Sequence, residues 1–179
     1  MALEKLVKDI MRPLSQYPSV SENDRVEQAL ELMAVALGEK KPPHLIVVGH
    51  GDSGKMVIKG FVTPPEIVFG MADHFLKGAK NIGPIFWEGQ LKSECAEAFQ
   101  KHVSEIMTPI KTCINGTEKL MEAIFLLNKY QVGFLPVVRC EEVTGIIHLE
   151  DILRTVVEMA DGMSASAIDG TGGSTANSK

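Results

Sequence analysis

The order of apolar and polar positions is nearly the same in the two halves of the chain. Each half begins with a short motif that ends in proline, VKDIMRP over residues 7–13 and VSEIMTP over residues 103–109. A polar stretch follows, and apolar side chains then recur three and four residues apart over 26–33 and 120–127. This spacing places them on one face of a helix. We therefore expect an amphipathic helix at the same place in both copies.

Each copy continues with two predicted strands. The first is a short apolar run over residues 44–48 or 134–138, typical of a buried strand. The second opens on glycine, GFVTPPEIV over 60–68 and GIIHLEDIL over 145–153, and leads into a helix. One such unit cannot cover its own sheet. Two copies are therefore expected to pack together about a pseudo-two-fold axis.

The segments between and after the copies have their own character. Leu91, Cys95 and Phe99 recur every four residues, which predicts a helix between the copies. The last residues are mostly Gly, Ser, Ala and Thr, which favours a flexible tail. We predict a first domain at 1–78, a helical connector at 79–102, a second domain at 103–160 and a tail at 161–179.

Composition and charge exclude several classes of protein. The 179 residues include 18 basic and 23 acidic side chains, a formal net charge of −5. Without a basic patch, binding to nucleic acid or to an acidic membrane surface is not expected. The charged first residues do not resemble a signal peptide, and no apolar run approaches the ~18 residues of a membrane span. Three widely spaced cysteines without a CxxC pair fit a reducing cytoplasm.

The duplicated motif resembles a tandem pair of cystathionine β-synthase (CBS) domains, a Bateman module, from about Ala2 to Ala160. The resemblance implies an α+β fold of two β-α-β-β-α units packed sheet to sheet, commonly as a homodimer. It also implies a cytoplasmic regulatory protein, not an enzyme, that senses an adenosine-containing ligand such as AMP, ATP, NAD or S-adenosylmethionine. No attached enzyme fits within this length, so we expect a stand-alone pair that signals to a partner protein.

The resemblance also implies where a ligand binds. In the family, a hydroxyl residue three positions after the second-strand glycine contacts phosphate or ribose, and an Asp three positions further holds the ribose hydroxyls. The matching residues are Thr63 and Glu66 in the first copy, and His148 and Asp151 in the second. Both pairs stand where a strand turns into a helix, whose first N–H groups attract anionic oxygens. Asp151 ranks first, because Glu66 is one methylene longer than the family pattern.

In the family each pocket is completed by the other copy. For the Asp151 site the implied lining residues are Arg12, Pro13, Tyr17, Pro18, His44 and Leu45. For the Thr63 site they are Thr108, Pro109, Cys113, Ile114, Val132 and Gly133. Arg12 would supply a cation for phosphate, and Tyr17 an aromatic face for adenine. His148, where the family has a hydroxyl, can also donate to a phosphate, especially when protonated.

Structural roles explain some of these residues equally well. Thr63 followed by Pro64 is a favourable helix start, and Glu66 stands where it completes a capping box. Asp151 in a first helical turn is favoured by the helix dipole. The alternative to ligand sensing is therefore a structural or dimerisation module that binds no ligand.

One segment imitates a phosphate-binding loop. Residues 49–55, GHGDSGK, fit the GxxxxGK pattern after an apolar strand. Met56 follows, however, where Mg²⁺ coordination needs Ser or Thr, and residues 56–62 have the pattern of a strand. We interpret the segment as a hairpin turn and expect no nucleotide hydrolysis. The five histidines show no metal-binding spacing, so no metal site is expected.

Overall fold

The computed structural model describes residues 5–79, 88–140 and 142–169. Within them the chain forms seven α-helices and two four-stranded sheets, which confirms the α+β fold class. In chain order the elements are α1 (Val7–Ile10), β1 (Arg12–Pro13), a 3-10 turn (Leu14–Gln16), β2 (Ser19–Ser21), α2 (Val26–Gly38), β3 (Leu45–His50), β4 (Met56–Val62), α3 (Pro64–Ala79), α4 (Gln90–Ala98), α5 (Val103–Ile106), β5 (Thr108–Pro109), β6 (Ile114–Asn115), α6 (Leu120–Tyr130), β7 (Phe134–Arg139), β8 (Glu142–His148) and α7 (Leu149–Asp169).

The chain divides into two compact units, each with one of the sheets. The central unit spans Ser15–Lys111, and the terminal unit combines Met1–Leu14 with Thr112–Lys179. The strand order is β2-β3-β4-β5 in the central unit and β1-β8-β7-β6 in the terminal unit. In both sheets one pair of strands is parallel, β2 with β3 and β6 with β7, and the other pairs are antiparallel.

Each sheet takes one edge strand from the motif of the other sequence copy. The motif strand β1 pairs with β8, with Pro13 opposite Gly145, and β5 pairs with β4, with Pro109 opposite Gly60. A Cβ at Gly145 would lie 2.6 Å from the carbonyl oxygen of Arg12, and one at Gly60 would be closer still to that of Thr108. The motif strand therefore crosses where only glycine leaves room.

The position of these glycines corrects one expectation. The repeat pattern places Gly60 and Gly145 at the start of the second strand, whereas β4 begins at Met56, as the strand pattern over 56–62 predicts, and β8 begins at Glu142. The reason is hairpin pairing, which extends the strands back to His50 opposite Met56 and Arg139 opposite Glu142. Both hairpins also carry a register shift at matching places, between Val47 and Val48 in one and between Val137 and Val138 in the other. The glycines therefore lie inside their strands.

The acidic residue of each motif caps the short helix that the motif forms. The Asp9 carboxylate accepts a hydrogen bond from the backbone N–H of Leu6 at 2.9 Å. The Glu105 carboxylate accepts one from the backbone N–H of His102 at 2.8 Å. Each bond satisfies a donor just before the first turn, and this explains the recurring acidic position.

Each unit has its own hydrophobic core, and the predicted helix faces point into it. In the central unit the buried core residues are Val20, Val26, Ala29, Met33, Leu45, Val47, Val62, Ile67 and Val103. In the terminal unit they are Val7, Ile114, Leu120, Ala123, Leu127, Leu135, Val137, Ile147 and Ile152. The first valine of each motif is fully buried in the core of the unit that its motif strand completes.

The segment that imitates a phosphate-binding loop is a hairpin turn between β3 and β4, as predicted. The backbone N–H of Gly51 donates to the carbonyl oxygen of Lys55 at 2.8 Å. Gly54 has a φ of 74°, which glycine adopts without strain. No helix follows the turn, because β4 begins at Met56. The segment therefore lacks the helix N-terminus that a phosphate-binding loop requires.

The connector and the tail lie partly outside the described residues. Helix α4 covers Gln90–Ala98, within the predicted connector, and residues 80–87 are not described. Helix α7 continues to Asp169, so the helix includes the first residues of the predicted tail. This stretch contains Ala165 and Ala167, and alanine has the highest helix propensity. Residues 170–179 lie outside the described part of the chain.

Replacing Gly145 with alanine should destabilise the terminal unit. The new Cβ meets the Arg12 carbonyl oxygen at 2.6 Å, so the motif strand must shift, at a cost of about 1–3 kcal/mol. Chemical denaturation measures the loss. Gly116→Ala is the matched control in the same unit, because its Cβ would make only ordinary contacts of 3.4 and 3.5 Å. Equal stability of the two variants would show that the crossing tolerates a side chain.

Candidate functional site

Buried polar side chains cluster at the starts of two helices. Among the described residues, the buried polar or charged residues are Thr63, His148, Asp151 and Thr155. Thr63 directly precedes α3, and the other three lie at or just inside the start of α7. Burying polar groups costs free energy unless they are paired, and such groups are common at functional sites. These helix starts are therefore the candidate functional sites.

The site in the terminal unit is built at the junction of β8 and α7. His148 is the last residue of β8, and Asp151 lies in the first turn of α7. The backbone N–H of Leu149 donates to the carbonyl oxygen of Gly133 at 2.9 Å, which ties the helix start to the residue before β7. This bond fixes the direction in which α7 leaves the sheet. The Asp151 carboxylate is thereby held beside the edge strand β1.

Arg12 forms a bidentate ion pair with Asp151. Its Nε donates to Oδ1 at 3.1 Å and to Oδ2 at 2.9 Å, and its Nη2 donates to Oδ1 at 2.6 Å. The side chains are 23% and 10% exposed, so solvent screens this pair less than a surface pair. Arg12 reaches the carboxylate because it lies opposite Ile146 in the β1–β8 pairing. The predicted grouping of these two residues is found in the structure.

Two further side chains shape this helix start. The His148 ring lies 5.6 Å from the Phe134 ring, centroid to centroid, and the two residues are opposite each other in the β7–β8 pairing. The hydroxyl of Thr155 donates to the backbone carbonyl oxygen of Asp151 at 3.2 Å. Sequence analysis missed Thr155, although it stands one helical turn after Asp151, on the same face.

The matching site in the central unit lies at the junction of β4 and α3. Glu66 Oε2 accepts a hydrogen bond from the backbone N–H of Thr63 at 2.8 Å and another from the Thr63 hydroxyl. Glu66 Oε1 accepts a bond from the hydroxyl of Thr108 at 2.7 Å. The bond to the Thr63 N–H is the one that the capping-box interpretation predicts. Both Glu66 oxygens thus have donors from within the unit.

The two sites share one geometry but differ in charge. In each, the residue before the motif proline donates to a carboxylate in the first turn of a helix. Arg12 donates to Asp151 of α7, and Thr108 donates to Glu66 of α3. Arg12 makes the contact with a cation, whereas Thr108 makes it with a neutral hydroxyl. The family resemblance places Arg12 near a phosphate and Thr108 in a pocket lining, but it does not show that Arg12 donates to Asp151 and Thr108 to Glu66.

The remaining predicted site residues divide between the units. The terminal unit contains Pro13, Ile114, Val132, Gly133 and Cys113, and the central unit contains Tyr17, Pro18, His44, Leu45 and Pro109. The side chains of Leu45 and Ile114 are buried in the cores of their units. Their side chains therefore serve packing. The ligand-binding role of the whole set stays a prediction.

The described residues contain no group of His, Cys, Asp or Glu side chains that could hold a metal ion. Among the described helices, none is both long enough and apolar enough to cross a membrane.

A family model for the CBS domain matches residues 7–73 and 103–158. The chain belongs to the CBS-domain family. The two matches cover both sequence copies, each with its motif, so this is a tandem CBS pair. A comparison with curated protein sequences finds no match.

Solved structures of CBS pairs share the fold. The CBS-pair protein CBSX2 from Arabidopsis thaliana is 20% identical, with a TM-score of 0.60, and the match covers 88% of this chain and 98% of that one. CBSX2 in complex with AMP is 20% identical, with a TM-score of 0.57 and coverage of 87% and 98%. The CBS domain pair of protein MJ0100 in complex with 5′-methylthioadenosine and S-adenosyl-L-methionine is 22% identical, with a TM-score of 0.58 and coverage of 87% and 98%.

The Arg12–Asp151 pair should be worth more to stability than a surface ion pair. In a double-mutant cycle of Arg12→Gln and Asp151→Asn, we expect a coupling free energy of about 1–2 kcal/mol, because the pair is bidentate and mostly buried. Chemical denaturation of the four proteins measures it.

The control cycle uses Lys5 and Glu158 of the same unit. Their side chains are 39% and 61% exposed and 3.1 Å apart, so we expect a coupling below about 0.5 kcal/mol. A coupling free energy at Arg12 and Asp151 no larger than this would contradict the prediction that a bidentate, mostly buried pair stabilises the unit more than a surface pair.

Proposed function

We propose that this CBS pair is a regulatory, non-catalytic module that binds an adenosine-containing ligand at the Asp151 site and signals to a partner protein. The observation that carries the proposal is the buried carboxylate of Asp151 with the Arg12 guanidinium beside it, at the start of a long helix. The AMP complex of CBSX2 and the 5′-methylthioadenosine and S-adenosylmethionine complex of MJ0100 support an adenosine ligand.

The chemistry of the site suits a nucleotide. A carboxylate can accept hydrogen bonds from both vicinal hydroxyls of a ribose. A guanidinium binds phosphate oxygens in a bidentate manner, and a helix N-terminus adds a favourable field for an anion. The chain carries a net charge of −5, so a polyphosphate would be held by local groups against the overall field. We therefore favour a singly phosphorylated or uncharged-tail adenosine ligand over ATP.

The signal to the partner protein would come from a difference in the ligand's affinity for two conformations of the module. A ligand shifts a conformational equilibrium only as far as it binds one state more tightly than the other. In this proposal the ligand changes what the motif strand β1 and helix α7 contact, because Arg12 and Asp151 lie on those two elements. A partner protein that recognises one arrangement would read the change.

The central site favours a structural role. Both oxygens of Glu66 accept hydrogen bonds within the unit, from Thr63 and Thr108, and a ribose would have to displace them. The alternative that CBS pairs of this kind serve only as scaffolds thus has support at this site. We propose that Thr63 and Glu66 cap α3 and that nucleotide binds at Asp151.

AMP should therefore bind once per chain, and binding should depend on Asp151. We expect Asp151→Asn to weaken AMP by at least about 30-fold, because a charged acceptor for two hydroxyls is lost. Isothermal titration calorimetry gives both affinity and stoichiometry, with ATP, NAD and S-adenosylmethionine as further ligands.

Glu66→Gln is the matched control, since it makes the same kind of change at the equivalent position and should leave AMP binding within about threefold. Binding that survives Asp151→Asn but not Glu66→Gln would move the site to the central unit. The absence of binding by any of these ligands would favour the scaffold alternative.

We also propose a homodimer, formed through the exposed side of α7. Leu149, Leu153, Val156 and Val157 are each more than half exposed and recur at helical spacing. On neighbouring α6, Met121 and Phe125 are exposed as well. A group of exposed apolar side chains of this kind marks an interaction surface.

Leu153→Glu should weaken the homodimer by at least about tenfold, because it places a charge in the apolar group. Analytical ultracentrifugation over a range of concentrations measures the change. Leu91→Glu is the control: Leu91 is 72% exposed on α4, outside this group, and its replacement should leave association unchanged. Equal effects of the two substitutions would argue against an α7 interface.

A further inference from the structure

The two oxygens of Asp151 that a ribose would need already accept hydrogen bonds from Arg12. The guanidinium contacts both of them, at 2.9 and 3.1 Å from Nε and 2.6 Å from Nη2. We propose that Arg12 is a specificity-determining latch: it competes with the ribose for Asp151 and is drawn away by phosphate, so the site selects a singly phosphorylated adenosine ligand over unphosphorylated ones. The inference rests on the proposed function and concerns the same site.

The competition follows from the geometry of the pair. Asp151 is only 10% exposed, so few directions of approach to the carboxylate remain while Arg12 holds it. A ribose diol that takes both oxygens must break an ion pair in which donor and acceptor are both charged, and its uncharged hydroxyls replace the hydrogen bonds but not the attraction between opposite charges. A nucleoside therefore binds a protein whose competent state is a minor fraction, and its apparent affinity falls by that fraction.

A phosphate changes this balance. The displaced guanidinium loses its bonds to Asp151, and a phosphate group on the same ligand offers it another anion in bidentate geometry. The unfavourable release from Asp151 is then offset by an equally strong contact within the complex. The cost of separating Arg12 from Asp151 therefore lowers the affinity only of a ligand that lacks the phosphate. Ribose recognition and phosphate recognition are thus coupled through one side chain.

The structure allows Arg12 to move without disturbing the fold. Its backbone is fixed by pairing opposite Ile146 on β8 and by the close crossing at Gly145. Its side chain is 23% exposed and has several rotatable bonds between the backbone and the guanidinium. Rotation about these bonds redirects the cation while β1 stays in place.

The central unit shows what the same geometry does without a cation. Thr108, equivalent to Arg12, holds Glu66 with a neutral hydroxyl at 2.7 Å. Thr108 carries no charge that a phosphate could attract, and its short side chain cannot swing away from its backbone position. The latch is therefore a property of the terminal unit, set by the residue before the motif proline.

Titration of adenosine and AMP into the wild type and Arg12→Gln tests the latch. We expect the wild type to prefer AMP. In Arg12→Gln, adenosine should bind about 3–10-fold more tightly, because the competitor is weakened, and AMP about 10-fold more weakly, because the phosphate loses its cation. The preference for AMP should therefore fall by about 30-fold or more. 5′-Methylthioadenosine, a second ligand without phosphate, should follow adenosine.

Two further variants keep the test decisive. Lys8→Gln removes a cation from the exposed surface of α1 in the same unit, and it should change neither affinity. Arg12→Lys keeps the charge but loses the bidentate fork, so adenosine should tighten while AMP stays within about threefold. Circular dichroism shows whether each variant is folded, and Arg12→Lys carries the test if Arg12→Gln is not.

The outcomes separate the latch from the proposed function. If AMP and adenosine both bind the wild type and Arg12→Gln weakens both equally, Arg12 is a structural residue and the latch is wrong. If AMP weakens while adenosine is unchanged, Arg12 contacts phosphate without competing for Asp151, and the latch is again wrong. If neither ligand binds the wild type, the proposed function fails and the latch fails with it.

Discussion

The architecture depends on a backbone crossing that occurs once in each unit. A motif strand pairs beside the second strand, and at this crossing the two backbones are so close that the carbonyl oxygen of Arg12 lies 2.6 Å from where a Cβ at Gly145 would be. At this crossing the first valine of the motif is buried in the core of the unit. The residue before the motif proline lies beside the start of a helix, α7 for Arg12 and α3 for Thr108. Because the backbone is fixed so close to α7, one side chain can reach the first-turn carboxylate. The close approach of the motif strand to Gly145 thus determines both the fold of the unit and the position of the candidate site.

Much of the fold was predictable because it depends on local periodicity. The apolar faces of α2 and α6 and the hairpin at residues 49–55 follow from spacing and turn residues alone. The family follows from the ordered duplication of these elements. The start of β4 at Met56 follows from the strand pattern over residues 56–62, whereas the start of β8 at Glu142 was not predicted, since pairing across the hairpin extends that strand back beyond Gly145. Helix α7 similarly extends past Asp161, where composition suggested a tail.

The candidate site was predictable in its members but not in its contacts. The resemblance to CBS domains pointed to Asp151 and Glu66 through the family's position after the second-strand glycine, and to Arg12 through the family's entry loop. No spacing rule shows that Arg12 bonds to Asp151, because 139 residues separate them in the chain. The contact exists only through the exchange of motif strands between the two sheets. The same exchange gives Glu66 a threonine, so two similar sequences acquire different electrostatics from one substitution in the motif.

The exchanged strands also set an order in which the chain can fold during its synthesis. The central unit is one continuous stretch, Ser15–Lys111, and can complete its contacts as soon as that stretch leaves the ribosome. The motif of residues 7–13 is synthesised before the central unit, whereas its partners in β8 and α7 are synthesised after it. Val7 therefore stays without its core while most of the chain emerges, and closing so long a loop is entropically costly. The Arg12–Asp151 contact can therefore form only after the whole central unit has been synthesised between its two partners.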